Sequence, residues 1–522
     1  MKLISKITSL ALAMLTLAAP CASTAYAASS EGEPLSASIE SVYGGAKGIV
    51  TPTFDDGDYP TAQKVKALCE KYDLYATLMI IPDRIPEKAA SSNRATVSQW
   101  REIFEDGRLE PQNHSMSHDV SLGTNDAGET PDESVVKYEI LDSGDLLDEF
   151  FPTNDILCFA PRGGAGDKAI TLSGRALAMT RYYMVRGATV SGKTQSVSPS
   201  FTLGEPGSWS YIIAPSVDRK SVDTLKTHVD NAAKNGTWLC TLSHKVLDVL
   251  PDDEKYASAY ENVDAWFAYM AEVRDRGDIW VTTVSSAIKY IRERQNSTVT
   301  ANYSDGEITV SVQMAEMTAD NLPLTADVFN HPLTVKVAVP KGMDDVVRYS
   351  ANGECRTAEV FTEGNARYAY VDVVPNTTVT VSESDDGEAH TLKSVKASAP
   401  TCLGGGTVAH LVCEDCGKTF DKDGKPLESI ASDKIGAHSL VDVSRVEPTE
   451  TSEGSIAHKL CTVCDKRFNF ADEELSDVSI PKLEPTNEPS APIGAIIGGA
   501  LGALAVAGAA IAFLFIRKKK KA

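Results

Sequence analysis

The chain has 522 residues, which is more than one hydrophobic core normally serves, so several domains are expected. Its 42% hydrophobic and 23% charged residues are typical of globular domains and argue against a chain that is disordered throughout. The formal net charge of -22 argues against a nucleic-acid-binding protein, because contacts to phosphates need a basic surface.

The N-terminus has the pattern of a signal peptide over residues 1–27. Lys2 and Lys6 precede an apolar run, and the small-residue sequence at 25–27 fits a cleavage site. We therefore expect the mature chain to be exported from the cytoplasm.

Residues 41–296 alternate short apolar runs with amphipathic helical patterns. Gly48–Phe54 and Leu74–Ile81 are typical of buried strands, whereas Thr61–Tyr72 and Ser221–Asn235 have helical periodicity. This alternation predicts an α/β domain with parallel strands and outer helices, arranged as a barrel or as an open sheet. In either architecture, catalytic residues lie where strands end and loops begin.

Three groups of candidate site residues follow predicted strands. Asp55 and Asp56 are adjacent, so one carboxylate can bind a metal ion while the other stays free as a base. His114 and His118 are four residues apart, which in a helical turn places both imidazoles on one face, a common geometry for two ligands of one ion. His244 ends a third apolar run. Two acids and three histidines in this order predict a metal-dependent hydrolase.

From 297 to 385 the pattern changes to short segments of alternating hydrophobicity, rich in Val and Thr and separated by turn residues. This pattern predicts a small antiparallel β-sandwich. No residue in it suggests chemistry, so we interpret it as an accessory domain.

The sequence of residues 390–468 recurs internally with an offset of 48 residues. We assign the first repeat to 390–436 and the second repeat to 437–482. The residues that recur at this offset are His390, Leu392, Val395, Pro400, Thr401, Gly406, Ala409, His410, Cys413, Cys416 and Phe420. Each unit therefore contains two histidines and one Cys-x-x-Cys pair.

Two interpretations fit the Cys-x-x-Cys pairs, which are Cys413/Cys416 and Cys461/Cys464. Each pair could hold structural Zn²⁺ together with the histidines of its repeat, which would replace the core that so short a unit is too small to build. Alternatively, each pair closes as a small disulfide, because the compartment is oxidising. Cys402 corresponds to Glu450 in the second repeat, so we do not include it in the shared pattern.

The C-terminal residues have the pattern of a membrane anchor. After a Pro-rich spacer at 483–492, residues 493–516 carry no charge and are long enough to span a bilayer. The basic tail at 517–522 is expected to stay in the cytoplasm, which would place the body of the protein outside the cell. Glycines recur every fourth residue in this helix, a spacing that could support a homodimer, although small residues are common in such helices.

The motifs in residues 41–296 resemble those of the polysaccharide deacetylases, carbohydrate esterase family four, which contain the nodulation-protein homology domain. Thr53–Gly57 reads Thr-Phe-Asp-Asp-Gly, the first motif of that family. His114–His118 matches its His-Ser/Thr-x-x-His motif, and Leu242–His244 matches its final Leu-x-His motif. The resemblance covers about half of the chain, and the motifs occur in the family's order.

The resemblance implies a distorted (β/α) barrel of seven strands and a divalent metal ion, usually Zn²⁺. It implies that Asp56, His114 and His118 bind the ion and leave one position open for water. It also implies that Asp55 acts as the general base and that His244 protonates the leaving group.

The third motif departs from the family pattern. Members of the family usually have an arginine that steadies the base aspartate, whereas Ala160 stands at that position here. Arg162 follows two residues later and is our candidate for reaching Asp55 by another path. Asp218 is our candidate for the acid that the family pairs with its last histidine, here His244.

We therefore expect a membrane-anchored extracellular enzyme that removes N- or O-linked acetyl groups from a polysaccharide. Peptidoglycan, chitin-like oligomers and acetylated xylan are the candidate substrates. The alternative is a non-catalytic carbohydrate-binding surface protein or adhesin with a degenerate barrel, which the alanine in the third motif would explain. An intact Asp55 favours the enzyme, because a binding protein has no use for a base that does not bind the metal.

Overall fold

The computed structural model describes residues 32–484, with gaps at 87–92, 153–154, 164, 190–192, 206, 316–317, 320–321, 352–353, 385–389, 391, 403–404, 414–416 and 436. The predicted signal peptide, the predicted membrane helix, the basic tail, most of the Pro-rich spacer and Cys416 lie outside the described residues. The export and anchoring of the chain therefore stay predictions. Within the described ranges, no helix is long and apolar enough to cross a membrane.

The chain divides into two compact units. The first unit ends at Ser398 and also includes Val408–Ile430. The second unit comprises Ala399–Thr407 and the chain from Ala431 onward. The boundary between the units therefore passes through the first repeat.

A curled parallel sheet forms the centre of the first unit. Its hydrogen-bonded strands are, in spatial and chain order, Thr53–Phe54, Ala76–Ile80, Leu109–Asn113, Cys158–Phe159, Met184–Thr189 and Ile212–Pro215. Almost all of their residues are buried, as expected for parallel strands that are covered on both faces. The predicted α/β fold with parallel strands is therefore confirmed.

A second group of parallel strands brings the end of the α/β region back to its beginning. Gly48–Thr51 pairs in parallel with Thr237–Cys240 on one side and with Ile279–Val281 on the other. A bridge between Phe54 and Ser243 continues this pairing to the carboxyl ends of the strands. The sheet therefore curls so that its first and late strands end at the same place.

Eight α-helices belong to the described part of the α/β region, namely Tyr59–Tyr72, Val97–Phe104, Glu133–Lys137, Ser143–Phe150, Leu172–Ala178, Val222–Asn235, Tyr260–Asp275 and Val284–Gln295. Polar caps set several of their starts; for example, the Ser221 side chain accepts a hydrogen bond from Thr224 N. A β-carbon at Gly48 would lie 2.5 Å from Ala232 O, so this glycine allows a helix to approach the first strand closely.

Two antiparallel sheets follow the α/β region in the chain. One consists, in spatial order, of Glu33–Leu35, Ser297–Ser304, Glu307–Met314, Thr377–Glu383, Val346–Ala351 and Glu354–Glu359. The other consists of Ala37–Ile39, Leu333–Ala338, Ala366–Val373 and Phe361–Glu363. The residues before the α/β region thus contribute one strand to each sheet, which the sequence pattern did not predict.

The two repeats have the same strand pairing. In the first repeat, Leu392–Val395 pairs antiparallel with His410–Cys413 so that Leu392 lies opposite Cys413. In the second repeat, Leu440–Val443 pairs with His458–Cys461 in the equivalent register. The short strands Thr419–Phe420 and Arg467–Phe468 complete the two hairpins. The sequence duplication is therefore also a duplication of backbone structure.

Candidate active site

The two adjacent aspartates lie where the strand Thr53–Phe54 ends. Asp55 N donates a hydrogen bond to Ser243 O at 2.8 Å, which fixes this end against the last motif. Asp56 and Gly57 then both have positive φ, 71° and 61°, a backbone region that few residues other than glycine adopt. This tight turn separates the two carboxylates, so that Asp55 is buried while Asp56 is partly exposed.

The two histidines of the second motif lie on a loop that follows the strand Leu109–Asn113. The prediction that their spacing reflects a helical turn is wrong, because Ser115 and His118 have positive φ values of 63° and 61°. Asn113 stabilises this loop by accepting a hydrogen bond from Ser115 N at 2.7 Å through its side-chain oxygen. The backbone, rather than helical periodicity, brings the two imidazole rings to 4.5 Å between centroids.

A buried glutamate that the sequence pattern did not single out holds the same loop. Glu139 lies on a π-helical segment, Tyr138–Asp142, and its carboxylate accepts hydrogen bonds from Ser117 N at 3.0 Å and from Ser117 Oγ at 2.5 Å. π-helical turns in proteins often occur at functional sites. Glu139 therefore positions the residue directly before His118.

One carboxylate and two imidazoles converge at this edge of the sheet. His114 Nε2 lies 3.8 Å from Asp56 Oδ1, and His118 Nε2 lies 3.6 Å from the same oxygen. Ligands about 2.0–2.1 Å from a tetrahedral zinc ion are roughly 3.4 Å apart, so the three donors are close to the spacing that such an ion requires. Asp56 Oδ1 is buried and has no hydrogen-bond partner in the described part of the chain. The donor set therefore fits a divalent metal ion.

Hydrogen bonding and burial both leave the imidazoles ready to bind a cation. His114 Nδ1 donates to Ala160 O at 2.9 Å, so its other ring nitrogen carries the lone pair that faces Asp56. Burial, and then the neighbouring His118, hold the pKa of His114 well below its usual value. Burial also lowers the pKa of His118. Both rings are therefore neutral at neutral pH, which is the form that binds metal ions.

Asp55 is held by an arginine other than the one predicted. Arg186, on the strand Met184–Thr189, donates from Nη2 to Asp55 Oδ2 at 2.9 Å, and the two side chains are only 2% and 5% exposed. Arg162 is exposed and donates instead to Asp119 O at 2.8 Å. The expectation that Arg162 reaches Asp55 is corrected accordingly, because Arg162 lies on the loop outside the sheet whereas Arg186 points from a strand into its interior.

His244 and Asp218 form a second polar pair beside the aspartates. His244 Nδ1 lies 2.6 Å from Asp218 Oδ2, and Asp218 Oδ1 accepts hydrogen bonds from His244 N at 3.1 Å and from Ser243 Oγ at 3.0 Å. Burial disfavours the charged imidazolium, but the hydrogen bond to Asp218 and the charges of Asp55 and Asp218 outweigh it and raise the pKa of His244. The candidate Asp218 thus contacts the last histidine as proposed.

The sequence offered a weak signal for one of the residues that it did not single out. Arg186 interrupts an otherwise uncharged strand, Met-Val-Arg-Gly-Ala-Thr, and a charge in a buried strand requires a buried partner. Glu139 gave no comparable signal, since it is one of many acidic residues in the segment around it.

Comparison with protein families gives a match over part of the chain. Residues 44–182 match the family described as polysaccharide deacetylase. The matched segment contains both aspartates and both histidines of the site and ends shortly before Arg186. A comparison with curated proteins found no match.

Similar solved structures include a family 4 acetyl xylan esterase from Clostridium thermocellum in complex with a cobalt ion, with 16% identity, 46% of this chain and 89% of that chain covered, and a TM-score of 0.29. A Streptococcus mutans CE4 esterase has 16% identity, 45% and 85% coverage, and a TM-score of 0.31. A Streptococcus pyogenes deacetylase, PplD, in complex with acetate has 23% identity, 31% and 62% coverage, and a TM-score of 0.24.

The family match covers the first two of the three sequence motifs, whereas Leu242–His244 lies beyond its end. The match begins before Thr53–Gly57 and extends past His114–His118. Residues 44–182 therefore match the polysaccharide deacetylase family, as the motifs in this segment predicted.

Proposed function

We propose that the α/β region is a metal-dependent deacetylase that hydrolyses N- or O-linked acetyl groups on a polysaccharide. The observation that carries this proposal is the separation of roles between the two aspartates. Asp56 presents to His114 and His118 a buried oxygen that has no hydrogen-bond partner among the described residues, whereas Asp55 is bound by Arg186 through Oδ2 and keeps its Oδ1 without a hydrogen bond. A site with three ligands and an adjacent carboxylate outside the ligand set suits hydrolysis.

Asp56, His114 and His118 are the residues that would hold the metal ion. A divalent ion bound there, most simply Zn²⁺, supplies polarisation of the acetyl carbonyl and acidification of a water molecule. Asp55 accepts the proton of the attacking water through Oδ1, while Arg186 fixes the position of the carboxylate through Oδ2. Arg186 thereby takes over the role of the arginine that the third motif lacks.

His244 completes the reaction as the general acid. Asp218 occupies Nδ1 of the ring, which leaves Nε2 to donate a proton to the departing amine or alcohol of the sugar. The reaction then ends with acetate and a sugar whose nitrogen or oxygen has taken that proton. The missing arginine of the third motif was the reason for considering a degenerate sugar-binding module. Arg186 supplies the contact to Asp55 from another strand, so that reason no longer applies.

Asp218→Asn is expected to move the alkaline limb of the kcat/KM profile to lower pH. Asp218 raises the pKa of His244 against the effect of burial, so the neutral amide allows that pKa to fall, and the acid form is lost at lower pH. The profile is measured by acetate release between pH 5 and 10. Ser216→Ala is the control, because its hydroxyl contacts the same carboxylate at 3.1 Å without carrying charge. An alkaline limb that does not move would contradict the role of His244.

Acetate release by residues 32–484 tests the proposed function directly. We expect release from at least one of N-acetylglucosamine oligomers, peptidoglycan fragments and acetylated xylan, with loss of activity on chelation and recovery on addition of Zn²⁺. The substrate that is hydrolysed fastest identifies the linkage. Undiminished release from protein shown to be free of metal would overturn the proposed mechanism, and no release from metal-loaded protein would favour the sugar-binding alternative.

A further inference from the structure

A second group of metal-binding side chains lies in the second unit, far along the chain from the residues of the candidate active site. Cys402, His438, Cys461 and Cys464 each offer one ligand atom, and these atoms all lie within 4.8 Å of one another. Cys402 Sγ is 3.6 Å from Cys461 Sγ, and Cys464 Sγ is 3.4 Å from His438 Nδ1. With zinc about 2.3 Å from sulfur and 2.0–2.1 Å from nitrogen, tetrahedral ligands are roughly 3.5–3.8 Å apart. The arrangement matches a Cys₃His site.

This ligand set differs from the one that the repeat pattern predicted. His458 was expected to contribute, but its Nδ1 donates to Ile456 O at 2.8 Å and its ring is buried away from the group. Cys402, which we had set aside because Glu450 replaces it in the second repeat, supplies the fourth ligand instead. A residue of the first repeat therefore completes the site of the second repeat.

Contacts within the second repeat hold the ligand side chains of the group in place. The turn from Cys461 to Cys464 directs the backbone N–H groups of Val463 and Cys464 to the Cys461 sulfur. Thr462 N donates to Ser439 O at 2.9 Å, which holds the turn beside His438. The His438 ring packs on Phe468 with 4.6 Å between centroids. The ligands are thus oriented by contacts of their own.

The second unit also lacks an apolar core among its described residues. Both clusters of buried apolar side chains in the described chain belong to the first unit. In the second unit, large apolar side chains are exposed, including Val441, Val446, Phe470 and Leu483. Small domains without a sufficient core commonly depend on a metal ion or on disulfides, and all three cysteines of the group are free thiols in the structure.

Part of this arrangement also occurs in the first repeat, within the first compact unit. Cys355, from the antiparallel sheets that precede the repeat, is buried in one cluster with Cys413 and Phe420. His390 packs on Phe420 with 4.6 Å between centroids, as His438 does on Phe468. Thr357 Oγ1 donates to His390 O at 2.9 Å and joins the two segments. A cysteine from the preceding module lies beside each repeat.

We propose that Cys402, His438, Cys461 and Cys464 bind a structural zinc ion that ties the two repeats together. The ion replaces the missing core of the second unit, and it requires Cys402 from the repeat before it. The site is independent of the proposed deacetylase activity, since no ligand is shared with the candidate active site.

Alkylation of the full chain, followed residue by residue by mass spectrometry, tests this proposal. In zinc-loaded protein, Cys461 and Cys464 should be protected from iodoacetamide, and Cys402→Ser should raise their alkylation rates by at least about tenfold. Glu450→Ser, at the position that corresponds to Cys402 in the duplication, is the matched control and should leave protection unchanged. His438→Cys should keep protection, because Cys₄ is also a ligand set of structural zinc sites.

A second measurement separates this site from the candidate active site. Replacing zinc by Co²⁺ should give a thiolate-to-metal charge-transfer absorption that decreases in Cys402→Ser, whereas the Asp56, His114 and His118 set contains no sulfur to produce it. Recovery of Cys461 and Cys464 as a disulfide-linked peptide, or alkylation rates that zinc does not change, would overturn the proposal.

Discussion

Asp55→Asn is expected to lower the rate of acetate release by about 10²–10⁴-fold, the range over which general base catalysis contributes. The amide retains the size of the side chain but cannot accept the proton of the attacking water. Asp56 and the two histidines are unchanged, so the metal content should stay that of the unmodified protein. Turnover is measured on the best substrate, and metal content is measured in parallel.

Asp56→Asn provides the matched comparison, since the two aspartates are adjacent and differ only in their proposed roles. Asp56→Asn should weaken metal binding, and added Zn²⁺ should restore part of its activity, whereas Asp55→Asn should stay inactive at any zinc concentration. Thermal unfolding serves as a control because Asp55 is the partner of a buried arginine. A folded Asp55→Asn protein with undiminished turnover would rule out its role as the base.

Arg186→Met should destabilise the α/β region by about 3–5 kcal/mol, the loss that follows when one partner of a buried ion pair is removed. The Asp55 carboxylate would remain buried without its charged hydrogen-bond donor, while Met fills a similar volume. We expect a lower Tm and reduced turnover together. Thermal and denaturant unfolding of metal-free protein measure the effect without a contribution from the ion.

Arg162→Ala is the control for this prediction, because Arg162 was the candidate from the sequence and is exposed. Its loss should change the free energy of unfolding by no more than about 0.5 kcal/mol. The double variant Asp55→Leu with Arg186→Met removes both charges and should recover much of the lost stability, although not the activity. An equal loss from Arg162→Ala and Arg186→Met would show that the ion pair is not what stabilises this site.

The presence of parallel strands and the positions of the candidate site residues after them could be predicted because they depend on local patterns. Apolar runs such as Gly48–Phe54 become buried parallel strands, and polar residues directly after them reach one edge of the sheet. The partner of Asp55 could not be predicted, since Arg186 is 131 residues away and only the register of the curled sheet brings them together. The loop of His114 and His118 depends on positive φ values that residue spacing does not encode.

The repeats are a second case in which the sequence predicted part of the structure but not every residue of a candidate site. Their duplication was visible in the sequence, and the equivalent registers of Leu392 with Cys413 and Leu440 with Cys461 agree with it. The participation of Cys402 was not visible, because internal comparison favours residues that recur. A ligand that only the neighbouring repeat supplies has no equivalent residue in the other repeat, so a comparison of the two repeats does not identify it.

The strands Glu33–Leu35 and Ala37–Ile39 have a consequence for the order in which the chain folds. They pair with Ser297–Ser304 and Leu333–Ala338, so the whole α/β region is a long loop between paired strands. The entropy of closing such a loop grows slowly with its length, but contacts distant in sequence form late. The α/β region can therefore fold first, while these two strands at its start are still unpaired. The two strands are then among the last segments to reach their native partners, and they stay open to proteases and to pairing with other chains until then.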